Sequence, residues 1–167
     1  MINAITIIKR DHRAIKTDYL QFKTLSGNEQ RRIAEKIFSA LDAHAKMEEE
    51  FFYPTVVKEA STDARILIES ALAEHAETKQ LIQRFRREQD WLGFEMKIEE
   101  LLAGVMHHVH DEEKQLLPLV KDSLSQQRLE ALGAEMDLHS PSRGQTVSDQ
   151  IGEQLKSNAA FLTKKKK

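Results

Sequence analysis

The chain has 167 residues, of which 40% are hydrophobic and 31% are charged, and its formal net charge is −2. A chain of this length suits one domain with a single core, and its small net charge of mixed signs disfavours nucleic acid and anionic membranes as partners. Since the chain contains no cysteine, disulfides, thiolate metal sites and iron–sulfur clusters are excluded, and a metal could be held only by nitrogen and oxygen ligands.

The amino-terminal residues and the hydrophobic runs give no sign of export or of membrane insertion. Lys9 and Arg10 come too early for a signal peptide. No run approaches the roughly 20 apolar residues that a membrane-spanning helix needs. We therefore expect a soluble, cytoplasmic protein that has neither a membrane nor a nucleic acid as partner.

Apolar residues recur with a helical period along most of the chain, which predicts an all-α fold. Three breaks interrupt this period, at residues 25–28, 61–63 and 90–93. At the first break Ser26 and Glu29 have the spacing of a capping box. Four long helices joined by short connections predict an up-down-up-down antiparallel four-helix bundle over residues 1–122.

A short fifth helix and a flexible tail are expected after the bundle. The helical period continues over residues 123–139, where Ser123 and Gln126 again have the spacing of a capping box. From residue 140 onward the composition becomes polar, and the chain ends in four lysines. We therefore expect residues 140–167 to form a flexible, lysine-ended tail. Because no candidate ligand lies beyond His139, truncation there is expected to leave metal binding intact.

One motif occurs twice in this chain. A histidine is followed by a glutamate four residues later and by a proline six residues after the glutamate. The two copies are His44, Glu48 and Pro54, and His108, Glu112 and Pro118. Such a repeat predicts two copies of one helical hairpin, each of which brings matching side chains to a shared centre.

A single histidine preceded by an acidic residue lies one helix before each copy of the motif. These pairs are Asp11 with His12, and Glu74 with His75. Measured from the predicted turns at about 1.5 Å per residue, His12 lies level with His44, and His75 lies level with His108. We therefore expect the four histidines and the two glutamates to converge on one layer of the bundle.

These side chains suit a pair of metal ions. Neutral imidazoles serve as terminal ligands, carboxylates can bridge two ions, and a histidine with a glutamate four residues later presents one of each on the same helix face. The alternative is a set of buried histidine–glutamate pairs without a metal. That arrangement would cost several kcal/mol unless every group were paired. We predict six metal ligands: His12, His44, Glu48, His75, His108 and Glu112.

Some assignments near this site stay open. His107 and Asp111 form a competing pair with the same spacing, although that register would lose the match to the first copy of the motif. Glu49 and Tyr53 could support the ligands from outside. They could equally be a solvated glutamate and a packed aromatic side chain.

Through these residues the chain resembles the hemerythrin-like, or HHE cation-binding, family over about residues 1–122. The resemblance implies a di-iron centre with a bridging oxo or hydroxo group. One iron would be held by His12 and His44, the other by His75 and His108, with Glu48 and Glu112 as bridges. Manganese and zinc accept similar ligands, so the identity of the metal is left open.

The same resemblance bears on function. The family's reversible oxygen carriers have a further histidine one turn after the third-helix ligand, where this sequence has Lys79, and this departure disfavours simple oxygen carriage. We expect a protein that binds or senses a small ligand, namely oxygen, nitric oxide or peroxide. One alternative is a di-iron oxidoreductase that degrades hydrogen peroxide or reduces nitric oxide. Another is a protein that repairs or supplies iron sites, although such relatives commonly carry a cysteine-bearing segment.

Overall fold

The structure is a computed structural model that describes residues 2–87 and 93–143. In order, its elements are α1 (Ala4–Phe22), α2 (Gly27–Met47), π1 (Glu48–Phe52), α3 (Tyr53–Glu59), α4 (Thr62–Arg87), α5 (Phe94–Asp111), π2 (Glu112–Leu116), α6 (Leu117–Ser123) and α7 (Gln126–Asp137). Two segments, α2–π1–α3 and α5–π2–α6, are continuous because the residues that join their parts keep right-handed helical dihedral angles. With α1 and α4 they form the predicted four-helix bundle, and α7 is the predicted short fifth helix.

Two sequence-based predictions fall wholly or partly outside the described residues. The third predicted break, at residues 90–93, is described only at Gly93, whose φ of 79° fits a glycine that precedes a helix. The predicted tail is described only over residues 140–143. Within the described ranges we find no helix that combines the length and the apolarity needed to cross a membrane.

The helix caps differ from the two predicted capping boxes. Ser26 precedes α2, but its side chain makes no capping hydrogen bond. Ser123 ends α6 instead of starting α7, and its hydroxyl donates to the carbonyl of Leu119 at 2.7 Å. Ser125 is the residue that caps α7, because its hydroxyl oxygen accepts from the backbone N–H of Arg128 at 3.2 Å.

A π-helical turn occupies the same place in each copy of the motif. Its hydrogen bonds run from the N–H of Tyr53 to the carbonyl of Glu48, and from the N–H of Leu117 to the carbonyl of Glu112. The next residue is Pro54 or Pro118, which has no N–H and whose ring would collide with the carbonyl four residues earlier in a regular α-helix. The wider turn accommodates each proline, and such turns are frequent at functional sites.

Two apolar clusters fill the bundle, and the candidate ligands lie between them. The first cluster includes Ile7, Phe52, Ile68 and Leu132, and the second includes Ile15, Phe38, Ile82 and Leu102. Along each of the four long helical segments, the candidate histidine falls where one cluster gives way to the other. The polar layer is therefore enclosed by apolar side chains at both ends.

Helix α7 packs closely against the start of α1. A Cβ atom on Gly133 would lie 2.7 Å from the carbonyl carbon of Asn3 and 2.7 Å from the nitrogen of Ala4. Only glycine permits this approach without a shift of the backbone. Beyond α7, Ser140 and Ser142 are also buried, at 6% and 2% relative exposure. The start of the predicted tail is therefore packed against the bundle.

Candidate metal centre

The structure brings all six predicted ligands into one buried layer. Their relative exposure ranges from 0% for Glu48 to 8% for His108. The competing pair lies elsewhere: the side chain of His107 is 72% exposed, and its Nε2 atom is 3.4 Å from Asp111 on the surface. The geometry therefore disfavours the competing register.

The four histidines form two close pairs. The Nε2 atoms of His12 and His44 are 3.1 Å apart, and those of His75 and His108 are 3.2 Å apart. These pairs match the two half-sites expected from the repeat. We call them the His12/His44 half and the His75/His108 half.

Glu48 lies between the two halves. Its Oε1 atom is 3.2 Å from Nε2 of His44, and its Oε2 atom is 3.4 Å from Nε2 of His75. Glu112 approaches the first half, with Oε2 at 3.2 Å from Nε2 of His12. In the described part of the chain, two groups of side chains could thus hold a cation, and Glu48 belongs to both. The first group is His12, His44, Glu48 and Glu112. The second group is Glu48, His75 and His108.

Each of the four histidines also has a carboxylate beside its Nδ1 atom. The contacts are His12 with Glu113 at 2.9 Å, His44 with Asp11 at 3.4 Å, His75 with Glu49 at 3.1 Å, and His108 with Glu74 at 2.8 Å. Sequence reasoning noted the acidic residues before His12 and His75, and Glu49. It missed Glu113, although a second glutamate follows the ligand glutamate in both copies of the motif.

These carboxylates fix the direction of the imidazole lone pairs. A carboxylate at Nδ1 accepts the proton of that nitrogen, so the lone pair of Nε2 points away from it, toward the centre of the bundle. Two buried carboxylate oxygens, Glu48 Oε1 and Glu112 Oε2, lie 3.2 Å from Nε2 of His44 and of His12, but the angles of these contacts leave both oxygens without a hydrogen bond among the described residues. Unsatisfied buried oxygens are costly, and cations between them and the imidazoles would satisfy both kinds of group. The residues present therefore fit a metal centre.

Without a metal, protons take over part of the charge balance in this layer. Burial opposes protonation of His44, but the charge of Glu48 and the hydrogen bond to Asp11 raise its pKa well above the ordinary value. Burial likewise opposes protonation of His12, but Glu112 and Glu113 raise its pKa. Cations that bind His12 and His44 would have to displace these protons.

Tyr53 breaks the symmetry between the two copies of the motif. Its hydroxyl oxygen lies 3.2 Å from Glu48 Oε2 and 3.2 Å from Glu112 Oε1, whereas Leu117 occupies the matching position in the second copy. Burial and the two neighbouring carboxylates raise the pKa of Tyr53 well above its ordinary value. The phenol is therefore protonated at neutral pH and can donate to Glu48 or Glu112. Of the two sequence-based interpretations of Tyr53, this contact favours support of the candidate ligands over simple aromatic packing.

A cavity of about 610 Å³ reaches this layer between α2, α4 and α5. His44, His75 and His108 contribute to its wall. Most of the remaining wall is apolar, including Ile82, Phe85, Leu101 and Val105. The cavity is far larger than a water molecule, whose share of liquid volume is about 30 Å³.

Comparisons with known proteins agree with this geometry. The sequence profile described as "Hemerythrin HHE cation binding domain" matches residues 3–120. The crystal structure of a hemerythrin HHE cation-binding domain-containing protein from Mycobacterium kansasii superposes with a TM-score of 0.67 at 23% identity, covering 92% of this chain and 99% of that one. A protein from Nostoc sp. described as a DNA nickase is 27% identical over 139 residues, which span 80% of this chain but only 38% of that protein.

Proposed function

The chain belongs to the hemerythrin HHE cation-binding domain family, and we propose that its buried layer holds two iron ions that bind a small ligand, either oxygen, nitric oxide or peroxide. The observation that carries this proposal is the inward convergence of four histidine Nε2 atoms, each backed by a carboxylate at Nδ1. Carboxylate–histidine pairs of this kind orient metal ligands and raise their basicity.

The proposal assigns one ion to each histidine pair. His12 and His44 would hold the first ion, and His75 and His108 the second. Glu48 faces both histidine pairs and could bind both ions. Glu112, from the second copy of the motif, would bind the ion held by His12 and His44. The bound ions would supply redox chemistry and open coordination positions. Nitrogen and carboxylate ligands of this kind suit iron, and they also accept manganese and zinc.

A role beyond structure is supported by the cavity. A purely structural metal site is closed off by its ligands, whereas a ligand-binding site keeps a position that the ligand can reach. Here three of the four histidines line a cavity of about 610 Å³. The apolar wall gives oxygen and nitric oxide a favourable route to the centre.

Redox turnover of peroxide or nitric oxide is the second candidate. It is favoured by Lys79, whose ammonium group lies against Glu49 and cannot coordinate a metal while protonated. A position filled by histidine in the family's oxygen carriers is thus left without that ligand. DNA nicking, named for the Nostoc relative, is not part of our proposal, because this chain spans 38% of that protein and its net charge of −2 disfavours binding to DNA.

The cavity offers a direct test of ligand entry. Among the described residues a Cβ atom at Gly104, which lines the cavity, would meet no atom within 4 Å, so Gly104→Leu would extend the side chain into the cavity. Ala103→Leu adds the same side chain at a neighbouring exposed position on α5. We expect stopped-flow mixing of the reduced, iron-loaded protein with nitric oxide to show slower binding in Gly104→Leu alone. Equal rates in both variants and the parent protein would reject this route.

The proposed function itself is tested by the unmodified protein. If its reduced, iron-loaded form shows no optical change with oxygen, nitric oxide or peroxide, the proposed function is wrong.

A further inference from the structure

The segment that follows α7 carries two serines that are bound to α1. Ser140 and Ser142 are both buried. The hydroxyl of Ser140 donates to Oδ1 of Asp11 at 2.6 Å, and the hydroxyl of Ser142 donates to the same oxygen. Asp11 is completely buried, so these two hydroxyls replace water around its carboxylate.

Arg10 completes this cluster and ties it to the end of α7. Its guanidinium donates to Ser142 Oγ and Ser140 Oγ, both at 2.9 Å, and to Oδ1 of Asp137 at 2.6 Å. The side chain of Arg10 is also buried, and a buried charge is tolerated only when it is paired and hydrogen-bonded. The contacts therefore fix the segment from Asp137 to Ser142 in one position on α1.

The cluster reaches the candidate centre through the second oxygen of Asp11. That atom, Oδ2, is 3.4 Å from Nδ1 of His44. Asp11 thus has one oxygen held by the two serines and the other directed at a candidate ligand. The carboxyl-terminal segment is connected to His44 by a single intervening side chain.

No other histidine of the centre has a fully buried supporting carboxylate in the described residues, although Glu49, which faces His75, contacts the ammonium group of Lys79 at the partly exposed edge of the site. The side chains of Glu74, Glu49 and Glu113, which face the other three histidines, are 36%, 28% and 32% exposed, whereas that of Asp11 is 0% exposed. Glu74 occupies the same place in the second copy of the motif as Asp11 does in the first. The two halves of the centre therefore differ at this matched pair, because Asp11 beside His44 is fully buried and Glu74 beside His108 is 36% exposed.

We propose that Ser140 and Ser142 are positioning residues of the metal centre: they hold Asp11, and through it His44, so that the His12/His44 half binds its ion more tightly than the His75/His108 half. This inference rests on the proposed metal site. Fixing the carboxylate in advance lowers the entropy that ordering His44 would cost when the ion binds. Because truncation after His139 would remove both serines, this proposal predicts weaker metal binding in the truncated protein, where the sequence alone predicted no change.

The test is an anaerobic titration of metal-free, full-length protein with ferrous iron. We expect two binding steps in the unmodified chain. In Ser140→Ala/Ser142→Ala the tighter step should weaken by about 10-fold, the lower end of the effect of removing an outer support from a metal ligand, while the weaker step stays unchanged. Ser123→Ala is the control, since its hydroxyl contacts only the carbonyl of its own helix turn among the described residues, and it should titrate like the unmodified chain.

The outcomes separate this inference from the proposed function. If the unmodified chain binds no iron, the metal site itself is wrong. If the double variant binds both ions as tightly as the unmodified chain, or weakens both steps equally, the positioning role is wrong even though the metal site stands. A lower melting temperature of the metal-free variant with unchanged affinities would mean that the serines only stabilise the fold. Should the double variant not fold, Ser140→Ala and Ser142→Ala alone each keep one donor to Asp11 and should each weaken the same single step.

Discussion

The ammonium group of Lys79 contacts both carboxylate oxygens of Glu49, at 2.7 and 2.6 Å. Glu49 in turn faces Nδ1 of His75 at 3.1 Å. Lys79 lies one helical turn after His75, at the position where the family's oxygen carriers place a further histidine. In this protein the residue supports a ligand from outside instead of adding one to the centre.

A histidine at position 79 should change how the iron-loaded protein reacts with air. The unmodified reduced protein is expected to oxidise quickly because a coordination position stays open. Lys79→His should slow this oxidation by offering one more ligand. Lys79→Leu, which removes the ion pair without adding a ligand, is the control and should oxidise at least as fast as the unmodified protein. Absorbance after mixing with air-saturated buffer measures the rates. A reversible oxygen complex that lasts for hours in the unmodified protein would contradict the open-position argument.

The metal-free protein should lose stability as the pH rises above neutrality. The pKa values of His12 and His44 are raised from 6.5, so their contribution to folding is fully present below that value and is lost as the pH rises through their folded-state values. Despite the opposing effect of burial, His44 lowers the pKa of Glu48 from 4.5, so the contribution of Glu48 to folding is present above that value and is lost as the pH falls below it.

Metal ions bind only neutral imidazoles, so bound metal should stabilise the fold most at higher pH. We expect the difference in melting temperature between the iron-loaded and the metal-free protein to widen from about pH 6 to pH 8. Calorimetry of both forms across that range measures it. Equal melting temperatures for the two forms at every pH would argue against a buried metal site.

Gly133 and Gly104 make a matched pair for testing how α7 is docked. Gly133→Ala should destabilise the protein by about 1–3 kcal/mol because its Cβ would overlap the backbone of Asn3 and Ala4. That corresponds to a fall of roughly 2–12 °C in melting temperature for a chain of this size. Gly104→Ala, inside α5 where a Cβ atom would meet no described residue within 4 Å, should instead stabilise the protein by about 0.5–1 kcal/mol. Equal shifts in both variants would mean that α7 does not pack on α1 as described.

The sequence was sufficient to predict the bundle and the candidate ligands for one physical reason. Side chains on the same helix face recur at fixed spacings, so His44 and Glu48 had to lie together once the segment was recognised as a helix. The duplication then indicated where the second set, with His108 and Glu112, would meet the first. Both inferences depend only on local geometry and repetition.

Other features depend on contacts that spacing cannot reveal. The partner of Asp11 is His44, on another helix, and this choice depends on how the two helices are rotated about their axes. Ser140 and Ser142 were assigned to a tail because their local composition is that of a loop, yet their partner lies about 130 residues earlier in the chain and is buried. The two prolines were noted as part of the repeat, but the π-helical turns that accommodate them were not predicted.

The most direct test of the account is the number of iron ions bound per chain, measured by metal analysis after anaerobic loading. We predict two ions in the unmodified protein and the loss of at least one in His44→Ala and in His108→Ala. His107→Ala is the control, because His107 neighbours His108 in sequence but lies on the surface, and it should keep both ions. Iron content that is unchanged in both His44→Ala and His108→Ala would contradict the assignment of the centre.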